Sequence, residues 1–377
     1  MKLTSVLPLA LLFTASFVAC SSDPAETHGA AGAAGSSAGA SPAAGSAGVS
    51  TSAGSGGQAG ASAGAAGALA GAAGASGGSG GGGGSGGSAG ASGGAAGSAG
   101  SAGSAGASFW GPGGPKKQWL CSGGPYPKQV KGPATNICVG FKYNYDYNEG
   151  PTWIASQKAF FFSNFIHSSN KGGDIIKYTP GGSCEVWLHD VGCNGLGVSP
   201  SGNLLGACQG TRAVMEFDVA TKQSRKVATM AGGKMLDSPN DLIASSTGNV
   251  YFSNTTYELG AGNTPGLGFA LVRIDPMGVT SVIEAGNLNG VALSPDETKL
   301  YVVGKGTWAL DAQGVPTKTN GPNPGGDGIA VDCAGTISNT DTNSAFGGMD
   351  GMTLISVNDG NNLLSAKTYQ MTVPGLP

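Results

Sequence analysis

Six times in this chain a carboxylate or carboxamide side chain stands directly before the same kind of apolar-then-turn phrase. The six are Glu149 before GPTWIASQK, Asn194 before GLGVSPSGN, Asn240 before DLIASSTGN, Asn289 before GVALSPDET, Asp327 before GIAVDCAGT and Asn343 before SAFGGMDGM. The first five lie roughly 38 to 49 residues apart, which is the period of a β-propeller blade. Residues at one phase of such a repeat share one radial position in the ring. If that phase begins the innermost strand, all six oxygen-bearing groups converge on the central channel, and oxygen donors gathered there suit a hard cation.

The rest of the pattern agrees with an all-β fold. Short runs rich in aromatic and branched side chains, such as AFFFSNF (159–165), AVMEFDV (213–219), NVYFSNT (249–255) and KLYVVG (299–304), are separated by Gly, Pro, Asn and Asp turns. Helix signals are almost absent. The six phrases predict a six-bladed β-propeller over residues 109–377, in which Lys116 to Asn148 supplies an outer strand that closes the ring with the last blade. Asp327 and Asn343 are only sixteen residues apart, so blade five is shortened and blade four is thin. Either the ring is incomplete or its C-terminal region is rearranged. Trp153, Trp187 and Trp308 are expected in the core.

Upstream, composition changes abruptly. Much of the chain's stock of 71 glycines falls in residues 21–108, an Ala/Gly/Ser tract that cannot bury enough apolar surface to offset its ordering entropy, so a disordered linker is expected. Residues 1–20 have the layout of an export signal: Lys2, an apolar stretch from Leu3 to Val18, then Ala19-Cys20. A small residue followed by cysteine resembles the bacterial lipobox, which makes Cys20 the expected lipidation site of an exported lipoprotein at the outer membrane, periplasm or cell surface. A tether of about 85 Gly-rich residues gives roughly 50 Å of mean reach from such an anchor. Net charge is −3 with no basic stripe, which argues against a nucleic-acid partner. Of seven cysteines, six remain once Cys20 is set aside, an even number suited to an oxidising compartment. Local spacing suggests Cys121 with Cys138 and Cys184 with Cys193, leaving Cys208 and Cys333 as buried thiols.

The ordered set Glu149-Gly150-Pro151, Ser238-Pro239-Asn240-Asp241, Asn289-Gly290 followed by VALSPDETKLYVV, and Asp327-Gly328 resembles the gluconolactonase and senescence-marker-protein (regucalcin-like) family. Members of that family are six-bladed propellers that hydrolyse lactones with a bound divalent cation. The resemblance runs from Glu149 to Pro377. It implies that Glu149, Asn240, Asn289 and Asp327 hold the metal and that Asp327 is also the catalytic base. Departures accompany it: Gln209-Gly210 where a histidine is common, Asn164 and Asn254 where an aspartate is common, and Ser238 where some relatives carry a substrate-binding arginine.

Four oxygen donors with two formal charges favour Ca²⁺, with Mg²⁺, Mn²⁺ or Zn²⁺ as substitutes; zinc fits least, since it prefers imidazole and thiolate. His28, His167 and His189 are out of phase with the ring. Asn194 and Asn343 are expected to line the channel and orient substrate. Strand alternation turns Asp241 away from it. The resulting expectation is a lipid-anchored, metal-dependent hydrolase of a sugar lactone or related ester. Its rival is a non-catalytic propeller in which a structural cation plugs the channel and the faces bind protein or glycan.

Overall fold

Runs that are apolar at every position, rather than at every second one, require a strand covered on both faces, and the fold supplies that cover. The computed structural model describes residues 109–111, 121, 124–339, 341–358 and 364–377; the expected export segment with Cys20 and the tract of residues 21–108 lie outside the described residues. In the strand Ala159–Phe165, Phe160 and Phe162 pack on one side with Ile176, Ile355 and Val357, whereas Phe161 packs on the other with Trp187, Leu196 and Leu204. Each neighbouring pair of sheets thus encloses its own layer of core, and each of these fully buried rings contributes roughly 1.5–3 kcal/mol by area. Trp153, Trp187 and Trp308 are all buried in such layers.

The chain enters the sheets at β1 (Lys131–Ile137) and then lays down blades in order. Blade one is β2 (Tyr147–Ile154), β3 (Ala159–Phe165), β4 (Gly173–Tyr178) and β5 (Cys184–Leu188). Blade two is β6 (Leu196–Val198), β7 (Leu204–Cys208), β8 (Ala213–Phe217) and β9 (Ser224–Ala228). A short ribbon, β10 (Met230–Ala231) with β11 (Lys234–Met235), precedes blade three. That blade is β12 (Ser238–Ala244), β13 (Val250–Thr255), β14 (Ala270–Ile274) and β15 (Thr280–Ala285). Blade four is β16 (Val291–Leu293), β17 (Lys299–Val302), β18 (Gly306–Leu310) and β19 (Pro316–Thr319). After β20 (Ala330–Val331) and β21 (Ile337–Ser338) come β22 (Asn343–Gly347), β23 (Thr353–Asn358) and β24 (Ser365–Met371).

All pairings within these sheets are antiparallel, and β1 pairs with β24 in the order β1-β24-β23-β22. The segment before the first inner strand therefore closes the ring, as expected. The blade count does not follow the expectation of six. Among the described residues there are five four-stranded sheets, and the fifth position holds only the two-stranded β20–β21 sheet. Sixteen residues allow nothing larger. Blade four, expected to be thin, is complete, because β19 supplies its fourth strand.

The cysteine pairings also differ from the local ones. The bridges are Cys121–Cys333, Cys138–Cys184 and Cys193–Cys208, so Cys208 and Cys333 are not free thiols. Ring closure explains the middle pair, since Cys138 follows β1 in the last blade, beside blade one where Cys184 begins β5. The third pair lies where the flanking residues already meet, Asn194 N donating to Ala207 O at 2.8 Å.

Candidate active site on the propeller axis

The six phrases meet around the axis as a closed ring, each touching the next. Gly195 N donates to Asn240 O at 2.6 Å, and Val291 N to Asp241 Oδ2 at 2.9 Å. Gly290 N donates to Asp327 O at 3.0 Å and Gly328 N to Thr342 O at 2.7 Å. Thr342 Oγ1 closes the circuit by donating to Asn148 O at 2.8 Å. Gly150 lies against Gly195, and at φ +51° a Cβ on it would strike that backbone. The ring at the axis thus keeps six members although one blade is reduced to two strands.

Bulges set the side chains. The β2–β3 register shifts between Glu149 and Thr152, and the β12–β13 register shifts between Pro239 and Leu242. Asn148 faces Asn164 and Pro239 faces Asn254, which makes Glu149 and Asn240 equivalent positions in their blades. Asn164 and Asn254 pin the incoming chain just before each bulge. Asn164 Oδ1 accepts from Tyr145 N at 3.0 Å while its Nδ2 reaches Tyr147 O at 3.1 Å. Asn254 Oδ1 accepts from Asp237 N at 2.9 Å while its Nδ2 reaches Gly268 O at 2.6 Å. An amide can serve both acceptor and donor there, which an ionised carboxylate cannot.

The bulge in β12 overturns the expectation that Asp241 turns away. Its Oδ1 accepts from Leu242 N at 3.0 Å and its Oδ2 from Val291 N, and its charge is felt by Glu149. Glu149 is buried, and burial first, then the charges of Asp327 and Asp241, hold its carboxyl well above the usual carboxylate range; the Gly150 N–H and the Asn343 amide oppose that rise. Burial pushes Asp241 up to about 7, against the pull of the Val291 and Leu242 N–H groups. Asn289 Nδ2 donates a short hydrogen bond to Asp327 Oδ1. Asn289 and Asp327 are half-buried, whereas Asn194, Asn240, Asp241 and Asn343 are buried, so the ring opens to solvent on the Asn289–Asp327 side.

A second cluster at this site has no counterpart in the repeat. Ser238 Oγ donates to Glu258 Oε2 at 2.9 Å, and Glu258 Oε1 lies 3.8 Å from His167 Nδ1. Burial raises the Glu258 carboxyl, and Asp327 adds to that rise. Glu258 and His167 sit in connections between second and third strands of blades three and one, where no strand period marks them. The serine that stands at the arginine position of some relatives therefore serves a buried carboxylate. His189, by contrast, pairs with Asp174 at 3.3 Å in blade one. Gln209 is fully buried with neither amide atom hydrogen-bonded within the protein.

The matched family model settles the lineage: the SMP-30/Gluconolactonase/LRE-like region covers residues 147–356, more than half of the chain. The chain belongs to this family. It is 34% identical over 199 residues to a gluconolactonase of Zymomonas mobilis, covering 45% of this chain and 54% of that protein. It therefore spans about half the length of the curated relative it matches. Among solved structures, the X-ray structure of a gluconolactonase candidate aligns with TM-score 0.55 at 23% identity, covering 67% of this chain and 96% of its own. A gluconolactonase from Xanthomonas campestris aligns with TM-score 0.50 at 20% identity, covering 66% and 99%. These structures share the propeller fold.

Among the described residues no group of three His, Cys, Asp or Glu side chains is gathered closely enough to hold a metal by itself. The donor set of this family member mixes carboxylates with carboxamides. Its chemistry fits a hard cation: every candidate donor is an oxygen, and crowded, buried carboxylates oppose their own ionisation until positive charge is supplied. Asn289 would turn its carboxamide by half a turn to present Oδ1.

Proposed function

We propose that this propeller hydrolyses a sugar lactone or related ester at the axial ring, with a divalent cation held by Glu149, Asn240, Asn289 and Asp327. The observation that carries the reading is electrostatic: three carboxylates, Glu149, Asp241 and Asp327, share one mostly buried ring, where burial and then the charge of Asp327 raise the proton affinity of Glu149 and Asp241. A bare ring of this kind is costly, and a hard cation offsets the cost. Ca²⁺ matches an oxygen-only donor set that includes neutral amides. When bound, such an ion supplies Lewis-acid polarisation of the ester carbonyl.

The protein groups account for the proton movements. Asp327, on the solvent-open side of the ring, is placed to take a proton from water as the water oxygen bonds to the carbonyl carbon. The ring carbon–oxygen bond then breaks, and the same proton passes to the departing alkoxide, giving a hydroxy acid. Asn343, whose amide favours the ionised form of both Glu149 and Asp241, would orient those carboxylates, while Asn194 lines the ring beside Gly150. Asp241 holds the inner strand of blade four and adds negative charge felt by Glu149.

Export and anchoring complete the reading. An N-terminal signal, lipidation at Cys20 and a linker of residues 21–108 would place residues 109–377 outside the cytoplasm, which suits three disulfides. The reduced fifth blade favours the second reading, a non-catalytic propeller with a structural cation. One experiment separates them: hydrolysis of a lactone panel by the purified chain in EDTA, in EDTA with excess Ca²⁺, and with Asp327→Ala. Turnover restored by Ca²⁺ and lost in the variant supports the lactonase; a folded, Ca²⁺-loaded protein without turnover leaves the binding module.

A further inference from the structure

The strand that follows the proposed catalytic aspartate, β20, is the least supported inner strand among the described residues. Elsewhere the inner strand of a blade is backed by three more strands, whereas β20 has only the two pairs Ala330↔Ser338 and Val331↔Ile337 with β21. Segments from outside the repeat brace β20 on the edge opposite β21, where Val331 and Cys333 point while Asp332 N points to Thr336 O at 3.1 Å. On one side, Cys333 N donates to Pro374 O at 2.7 Å, Leu376 N donates to Val331 O at 3.2 Å, and Asp332 bridges to Gly375. On the other, Gln129 Nε2 donates to Asp332 Oδ2 at 3.0 Å and to Val373 O at 2.9 Å. Gln129 Oε1 accepts from Thr372 N at 3.0 Å and Val373 N at 2.9 Å. The Cys121–Cys333 bridge fixes this arrangement covalently across 212 residues of chain.

Asp332 joins the two sides. One oxygen takes Gln129, and the other accepts from Ala334 N at 2.9 Å and Thr336 N at 2.8 Å, which shapes the β20–β21 turn. Asp332 follows Asp327 by five residues, and between them the pairing with β21 is confined to Ala330 and Val331.

We infer that Cys121, Cys333 and Gln129 form a clasp that positions Asp327, so that the chemistry of the axial site depends on the oxidised Cys121–Cys333 pair. These are positioning residues, acting through Asp332 and β20. The inference rests on the reading of Asp327 as the proton-handling group. In an exported protein the clasp would form only after the chain reaches an oxidising compartment, so the propeller would acquire its activity there.

The test compares three variants of the full chain with the wild type: Cys121→Ser with Cys333→Ser, Gln129→Ala, and Cys138→Ser with Cys184→Ser as a bridge remote from Asp327. Amide hydrogen exchange and lactone kinetics with Ca²⁺ are read on each. The expected result is at least a tenfold rise in exchange at Gly328 and Val331–Cys333 in the first two variants. Exchange in β3 should be unchanged, and kcat should fall at least tenfold with KM within about twofold. The Cys138/Cys184 variant should leave exchange at 328–333 as in the wild type. Equal acceleration in every blade, or unchanged exchange at 328–333 in both clasp variants, overturns the inference. If the double variant does not fold, Gln129→Ala decides alone. If the wild type turns over no lactone, the lactonase reading fails, while the exchange pattern still judges the clasp.

Discussion

Asp241 Oδ2 accepts the backbone N–H of Val291 at 2.9 Å, so a carboxylate of blade three holds the first residue of blade four's inner strand. Its other oxygen takes Leu242 N at 3.0 Å. Asp241→Ala leaves two buried N–H groups without acceptors, at a cost of about 1–3 kcal/mol for each group so orphaned. Urea unfolding should show a loss of roughly 2–6 kcal/mol. Asp241→Asn keeps one acceptor, turns its amide NH2 toward the other N–H and removes a crowded charge, so the metal-free protein should lose about 1–3 kcal/mol, less than the alanine variant.

The raised carboxyls set a pH dependence with a definite sign. Glu149, Asp241 and Glu258 hold their protons more tightly folded than unfolded. Between the ordinary carboxylate range and about 7, where Asp241 titrates, the folded state binds more protons, so stability falls as pH rises. The thermal midpoint in EDTA should drop by several degrees between pH 4.5 and 8. Excess Ca²⁺ should flatten that drop, because the cation stabilises the ionised ring. A midpoint that rises over this range in EDTA would contradict the arrangement.

Close approach at the axis gives a steric prediction. A Cβ on Gly195 would lie 2.5 Å from Asn240 O and 2.7 Å from Asp241 Cα, both backbone atoms that cannot swing aside. Gly195→Ala should therefore cost about 1–3 kcal/mol, as overpacking does, and weaken Ca²⁺ binding by displacing Asn240. Gly181→Ala, with open space around it, should leave metal binding as in the wild type.

The position where the Gly/Ala/Ser tract gives way to aromatic residues is also a packing site. Trp110 is 3% exposed and its Nε1 donates to Gly248 O at 2.9 Å, within a core layer between blades two and three. Trp110→Ala should cost about 3–5 kcal/mol in chemical unfolding. A loss under about 0.5 kcal/mol would mean that this residue does not belong to the folded unit.

What could be read from the chain followed from periodicity. One phase of the repeat located Glu149, Asn194, Asn240, Asn289, Asp327 and Asn343 on neighbouring inner segments, because a propeller turns sequence period into radial position. What could not be read broke the period. A bulge of one residue in β12 brought Asp241 to the ring, which alternation had turned away. Glu258 and His167 lie in connections that carry no strand signal. Cys121 and Cys333 are joined across 212 residues, and only ring closure and the absent strands of blade five bring them together. The sixteen residues from Asp327 to Asn343 did mark the short blade, but not the segments that support it.

The most direct measurement is calorimetric titration of the metal-free chain with Ca²⁺ near pH 7 in two buffers of different ionisation enthalpy, repeated on Glu149→Gln and Asp327→Ala. An axial cation site predicts one ion per chain, proton release on binding because the free ring holds extra protons, and at least a hundredfold weaker binding in each variant. Ca²⁺ binding that survives both substitutions, or no binding by the folded wild type, would contradict a metal centre at Glu149, Asn240, Asn289 and Asp327.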